Sequence, residues 1–275
     1  MKKVAIVGLG WLGMPLATAL TARGWQVTGS KTTPDGVEAA RRCGIDAFQL
    51  ELTPDLICDA EDLDVLFNVD ALVVTLPASR TAEGGDAYVQ AVQNVVDTAL
   101  ARNVPRIIFT SSTSVYGGSS GIKTEKSALQ PETTAGKTLV ELENWLHDLP
   151  GTSVDILRLA GLVGPKRHPG RFLAGKLALP NGSHGVNLVH LDDVVEAILL
   201  LLQTPKGGRT FNLCSLKHPS RAQFYPGVSR QLGMTPPTFA PEAGDDSGKL
   251  IDGSRICHEL GFEYRYDDPQ KMPLE

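Results

Sequence analysis

The sequence predicts an α/β fold, a doubly wound parallel sheet with a smaller C-terminal lobe, on three observations. Short apolar runs rich in β-branched residues alternate with segments of helical period as far as Leu157. A glycine-rich hexapeptide, Gly8-Leu9-Gly10-Trp11-Leu12-Gly13, stands between the first such run and the first helical segment. Beyond about Leu159 glycine and proline become frequent and short elements replace the alternation. This texture divides the 275 residues into 1–160 and 161–275, packed as one compact unit with no linker-like break.

Taken in order, Lys3–Val7 reads as the first strand and Leu12–Arg23 as its helix. Trp25–Gly29, Ile45–Leu50, Ala71–Leu76, Arg106–Ser111 and Ser153–Leu157 read as the next five strands. Helices are expected at Asp35–Cys43, Tyr88–Asn103 and Thr133–His147, the last stopped by Pro150-Gly151. In the C-terminal part, Leu191–Gln203 is a helix with Asp192 and Asp193 in its dipole-favoured first turn. Arg255–Leu260 is a helix ending at Gly261.

Composition narrows the function classes. A net charge of −5, with no basic run, argues against a nucleic-acid partner. Cys43, Cys58, Cys214 and Cys257 form no CxxC pair and read as reduced thiols. No His, Cys or carboxylate cluster has metal-ligand spacing, and no Gly-x-Ser-x-Gly nucleophile elbow occurs. Met1-Lys2-Lys3 and the apolar stretch to Ala22 resemble a signal peptide, but the three glycines interrupt it in the order a phosphate-binding turn requires. A cytoplasmic protein with no membrane span is expected.

In a strand–turn–helix context the spacing Gly8, Gly10, Gly13 has a mechanism. The first glycine makes the tight turn, the second admits a pyrophosphate against the backbone, and the third lets helix and strand pack closely. The helix N-terminus then offers N–H groups and a positive dipole end. This is the signature of a Rossmann half that binds NAD(P), with Gly8, Gly10, Trp11, Leu12 and Gly13 at the cofactor. NAD-preferring proteins usually place a carboxylate about 20 residues after the glycines to hold the ribose hydroxyls. Here Ser30-Lys31-Thr32 occupies that place with no carboxylate before Asp35, which favours the 2′-phosphate of NADP over NAD.

A second polar cluster, Thr110-Ser111-Ser112-Thr113-Ser114-Val115-Tyr116-Gly117, leaves the C-terminal end of the strand begun at Arg106, where open α/β sheets bind ligands. Its hydroxyls suit a substrate carbonyl or alcohol; a polar strand exit that binds nothing is the bland alternative.

These segments resemble the extended branch of the short-chain dehydrogenase/reductase superfamily, that of nucleotide-sugar epimerases and dehydratases. Ser111–Gly117 is similar to its catalytic-serine segment, with Ser112 at the serine position. Leu157–Pro165 resembles its Arg-to-Gly-Pro segment, Asn187–Val194 the return from the substrate lobe, and Ser254–Phe262 the C-terminal helix. The resemblance implies that Thr75, Leu76, Pro77, Ser111, Lys137, Ala160 and Gly161 line the cofactor. It implies that Arg167 and Arg171 hold an anionic substrate, an exposed loop being the equal alternative, and that two copies pair through Tyr88–Asn103 and Thr133–His147. His190 reads as a hydrogen-bonded structural residue.

The sequence departs from the family where the chemistry is heaviest. The glycine turn is GxGxxG rather than GxxGxxG, as in an atypical subgroup, and the fourth strand ends Val74-Thr75-Leu76-Pro77 rather than in small residues. The YxxxK pair is missing: aligning on Lys137 places Thr133 where the tyrosine belongs. An aliphatic hydroxyl is a far weaker acid than a phenol tuned by a lysine. Tyr116, Lys137 or a bound water is then the candidate donor, with Thr133 as relay. Two functions follow: an NAD(P)-dependent oxidoreductase or epimerase-like enzyme acting on an unknown small molecule through Ser112, or a catalytically silent NAD(P)-binding sensor.

Overall fold

The computed structural model of the protein describes residues 2–78 and 84–275. Its first elements are β1 (Lys3–Val7), α1 (Gly13–Ala22), β2 (Gln26–Lys31), α2 (Pro34–Arg42) and β3 (Asp46–Gln49). A short hairpin, β4 (Glu51–Leu52) and β5 (Leu56–Ile57), leads to α3 (Ala60–Leu66), β6 (Ala71–Val74), α4 (Gly85–Ala101) and β7 (Arg106–Ser112). Then come a 3₁₀ turn (Thr113–Tyr116), β8 (Gly121–Lys123), α5 (Thr134–His147), β9 (Ser153–Leu159), β10 (Gly161–Val163), β11 (Leu188–His190) and α6 (Leu191–Gln203). β12 (Thr210–Leu213), α7 (Arg221–Gln231), β13 (Lys249–Ile251) and α8 (Arg255–Leu260) complete the chain.

Seven strands form the central parallel sheet in the order β12-β9-β7-β6-β1-β2-β3. β1 pairs on both sides, with Val7 opposite Ser30 of β2 and Val74 of β6. Val4, Ala5, Ile6 and Val7 are fully buried, which is why the strand is apolar from Val4 onward and not alternating. The strand order reverses at β1 and β6, so the crevice where such sheets take ligands opens beyond Val7 and Val74.

The predicted α/β order holds, and the exceptions have local causes. β2 continues to Lys31 rather than stopping at Gly29, pairing Ser30 and Lys31 with Phe48 and Gln49. α2 begins at Pro34 because Thr33 Oγ1 caps the Gly36 N–H and proline suits the first helical position. α3 escaped notice in an acidic stretch: Asp59 caps it through Glu61 and Asp62, and of its seven residues Leu66 is the buried one. α7 was hidden by Pro226 and Gly227, although the Ser220–Gln223 capping box that starts it stands in the sequence.

By its internal contacts the chain divides into two units, and the composition-based boundary at residue 160 is replaced by several crossings. One unit holds Met1–Val115, Pro131–Leu157 and Ile198–Thr210; the other holds Tyr116–Gln130, Arg158–Ala197 and Phe211–Glu275. The second has a core of Val163, Val186, Leu188, Phe224, Val228, Met272 and Leu274, with Tyr225 and Tyr266 against it. All four cysteines are free. Among the described residues no helix is long and apolar enough to cross a membrane, and no group of His, Cys, Asp and Glu is placed to hold a metal.

Candidate functional site

The glycine turn is built as its spacing demands. Gly8 has φ +103°, and its N–H donates to Ser30 Oγ at 3.1 Å. A Cβ on Gly13 would stand 2.0 Å from the Gly8 carbonyl oxygen, so the third glycine is what lets α1 start against the turn. Gly10 differs: nothing lies within 4 Å of where its Cβ would be, and the residue is exposed. Trp11 is half-buried and Leu12 buried at the head of α1, which has no side-chain cap and no carboxylate in its first turn. An open glycine beside an uncapped, un-neutralised helix N-terminus fits the pyrophosphate of a dinucleotide.

Two neighbours expected at the cofactor instead brace this turn. Ser30 is 4% exposed and spends its hydroxyl on Gly8 N–H, because β2 extends through it and turns it inward. The reading of Ser30 as a 2′-phosphate ligand is therefore corrected, leaving the half-buried Lys31 and the exposed Thr32. Thr75 Oγ1 donates to the Gly8 carbonyl at 2.6 Å, fastening the end of β6 to the turn. The Leu76 carbonyl accepts from Tyr88 O–H at 2.7 Å, and Pro77 is exposed.

At the exit of β7 the two serines have different duties. Ser111 is buried and donates to Glu143 Oε2 of α5 at 2.7 Å, so its side chain faces the helix rather than a ligand. Ser112 is half-buried, and its Oγ accepts from Ser114 N–H at 3.1 Å, which leaves its proton to donate. The α5 start packs tightly here: a Cβ on Gly136 would lie 2.8 Å from the Ser114 carbonyl oxygen.

The expected Thr133–Lys137 pair stands one helical turn apart, Lys137 N–H donating to the Thr133 carbonyl at 3.0 Å, with both side chains exposed. Thr133 precedes α5 as its N-cap, its Oγ1 accepting from Gly136 N–H at 3.0 Å. Lys137 is exposed on the side of α5 that also carries the exposed Glu141 and Asn144. The face packed inward carries Gly136, Thr138, Leu139, Leu142, Glu143 and Leu146. Counting back from Glu143 by one and two turns gives Leu139 and Ala135, neither of which ionises.

Tyr116 is removed from the list of acids. It is fully buried in the second unit, donating to Asn212 Oδ1 at 2.7 Å and accepting from Arg158 Nη1 at 2.9 Å, with the Arg158 guanidinium 5.2 Å from its ring centre. Burial pushes its phenol above the ordinary value, and the arginine and the two hydrogen bonds offset that only in part. Nearby, Ala160 N–H donates to Leu213 O and Gly161 N–H to Asn187 O, so both amides serve the fold. Arg167 and Arg171 are exposed, beside Phe172 at 64% exposure. His190 is buried, with Nε2 2.7 Å from the Pro273 carbonyl and Nδ1 accepting from Asp192 N–H. Glu143, Arg158 and Asn212 were missed in the sequence; a charged residue on an otherwise apolar helical stripe was the one available signal, at Glu143.

A family model described as the NAD dependent epimerase/dehydratase family matches residues 4–214. Protein YeeZ of Escherichia coli (strain K12) is 65% identical over 275 residues, covering 100% of both chains. Among solved structures, the UDP-Glc/GlcNAc 4-epimerase from Campylobacter jejuni is similar with a TM-score of 0.77 at 19% identity, covering 98% of this chain and 96% of that one. MoeE5 in complex with UDP-glucuronic acid and NAD is similar with a TM-score of 0.73 at 21% identity, covering 96% and 94%. With its glycine turn, its sheet and its β7 serines in the family's order, the chain belongs to the NAD dependent epimerase/dehydratase family.

Proposed function

We propose that the protein is an NAD(P)-dependent enzyme that moves a hydride to or from a carbon bearing oxygen, with Ser112 holding that oxygen. The observation that carries the reading is the pairing, in one unit, of an open Gly10 beside the uncapped head of α1 with a serine whose proton is free to donate. When bound, the nicotinamide ring supplies or takes up the hydride. The backbone of Gly8–Gly13 and the head of α1 bind the pyrophosphate, and Lys31 meets the adenosine ribose. The preference proposed is for NADP, resting now on Lys31 and Thr32 alone. Ser112 polarises the reacting oxygen, and the proton exchanges with water through its hydroxyl. Taken by itself, the second unit presents Arg167, Arg171 and the exposed Phe172 ring, with Lys176 Nζ 5.9 Å from its centre, as groups suited to an anion that carries a planar group. A nucleotide-linked sugar of the kind named for MoeE5 has both features.

A second reading, a dinucleotide-binding protein without turnover, is favoured by Thr133 standing where the family's tyrosine belongs. Titration with NADPH and NADH, followed by melting temperature and nicotinamide fluorescence, tests what both share. Stabilisation of about 2.7 kcal/mol is expected at a hundredfold excess over Kd. NADPH is expected to bind more tightly than NADH; the reverse order sinks the Lys31 argument, and no binding of either sinks both functions. A panel of carbonyl acceptors then separates enzyme from sensor.

A further inference from the structure

Glu143 is a carboxylate in a place that favours apolar side chains. It is 1% exposed, on an α5 face whose other buried residues are Gly136, Thr138, Leu139, Leu142 and Leu146, none of them charged. Burying a carboxylate costs more than burying a leucine there would, so stability alone does not account for it. What it does is specific: Oε2 accepts a 2.7 Å hydrogen bond from the Ser111 hydroxyl, both partners being buried. That bond ties the middle of α5 to the residue immediately before Ser112. Seven residues earlier, Gly136 seats the helix against the Ser114 carbonyl. Ser112 thus lies between two fixed points, and its Oγ is in turn held by the Ser114 N–H.

We propose that Glu143 is a positioning residue, holding the β7 exit through Ser111 so that the Ser112 hydroxyl keeps the direction its task requires. A backbone free to twist at Ser111 would swing Ser112 Oγ off the Ser114 amide. The inference rests on the role given to Ser112 above, but its geometry is tested without cofactor or substrate.

The Ser114 amide is a built-in reporter, because its hydrogen-bond acceptor is the Ser112 hydroxyl itself. Amide hydrogen exchange is to be followed by NMR in the wild type, Glu143→Gln, Glu143→Leu and Ser111→Ala. Glutamine keeps an acceptor oxygen for Ser111 and is expected to leave Ser114 protection near the wild-type level. Leucine, and alanine at 111, are expected to speed Ser114 exchange by about tenfold or more while β1 and β6 amides keep theirs. Should Glu143→Leu fail to fold, Ser111→Ala removes the same bond with a smaller change. Unchanged Ser114 exchange in Ser111→Ala overturns the proposal. So does a uniform loss of protection across the sheet, which marks a purely structural charge. NADPH titration of the same proteins separates the two ideas: if the wild type binds no NADPH, the proposed function falls while the exchange result still decides whether Glu143 positions Ser112.

Discussion

Alanine at position 13 is expected to abolish NADPH binding and destabilise the fold, whereas alanine at position 10 is expected to weaken binding alone. The contrast follows from what each new methyl group would meet. At Gly13 the Cβ falls 2.0 Å from the Gly8 carbonyl oxygen and 3.3 Å from Ile6 Cγ2, and backbone has no rotamer with which to yield. The start of α1 must move away from the end of β1, at a cost of about 1–3 kcal/mol typical of overpacking. At Gly10 the Cβ enters open space, so thermal unfolding is expected within about 2 °C of the wild type. That space is where the pyrophosphate must approach the backbone. Losing one or two charge-assisted hydrogen bonds there, at about 1.5–3 kcal/mol each, weakens binding by about tenfold to more than a hundredfold. Fluorescence titration and melting curves on both variants check this. A Gly10→Ala protein that binds NADPH normally removes the turn as the cofactor site.

The parts of this arrangement that were legible in the sequence are those governed by neighbours along the chain. The glycine turn is one, since strand, turn and helix are contiguous. The α6 bounds Leu191–Gln203 and the left-handed Gly261 that ends α8 are others. What failed to show depends on partners distant in sequence. Ser30 reads as a ligand until Gly8, 22 residues away, is seen to use its hydroxyl. Tyr116 reads as an acid until Asn212, 96 residues away, is seen to accept its proton. In both cases the residue type was compatible with chemistry, and a buried tertiary contact decided that it serves the fold.

Ser112→Ala and Tyr116→Phe are expected to fail in opposite ways. Under the enzyme reading, removing the hydroxyl that polarises the reacting oxygen lowers kcat by about 100–1000-fold, the usual cost of one such donor. Ser112 is half-buried and its Oγ receives one amide bond, so thermal stability is expected to change little. Tyr116→Phe instead leaves Asn212 Oδ1 without its donor and deprives Arg158 Nη1 of an acceptor, in surroundings shut off from water. Unsatisfied buried groups cost about 1–3 kcal/mol, which lowers the melting temperature by about 3–10 °C in a chain of this size. Its turnover and pH profile are expected to match the wild type at temperatures where it stays folded, since burial already holds the phenol above its ordinary range. A Tyr116→Phe enzyme that loses a basic inflection in kcat would return that tyrosine to the chemistry. A Ser112→Ala enzyme with full turnover would take the serine out of it.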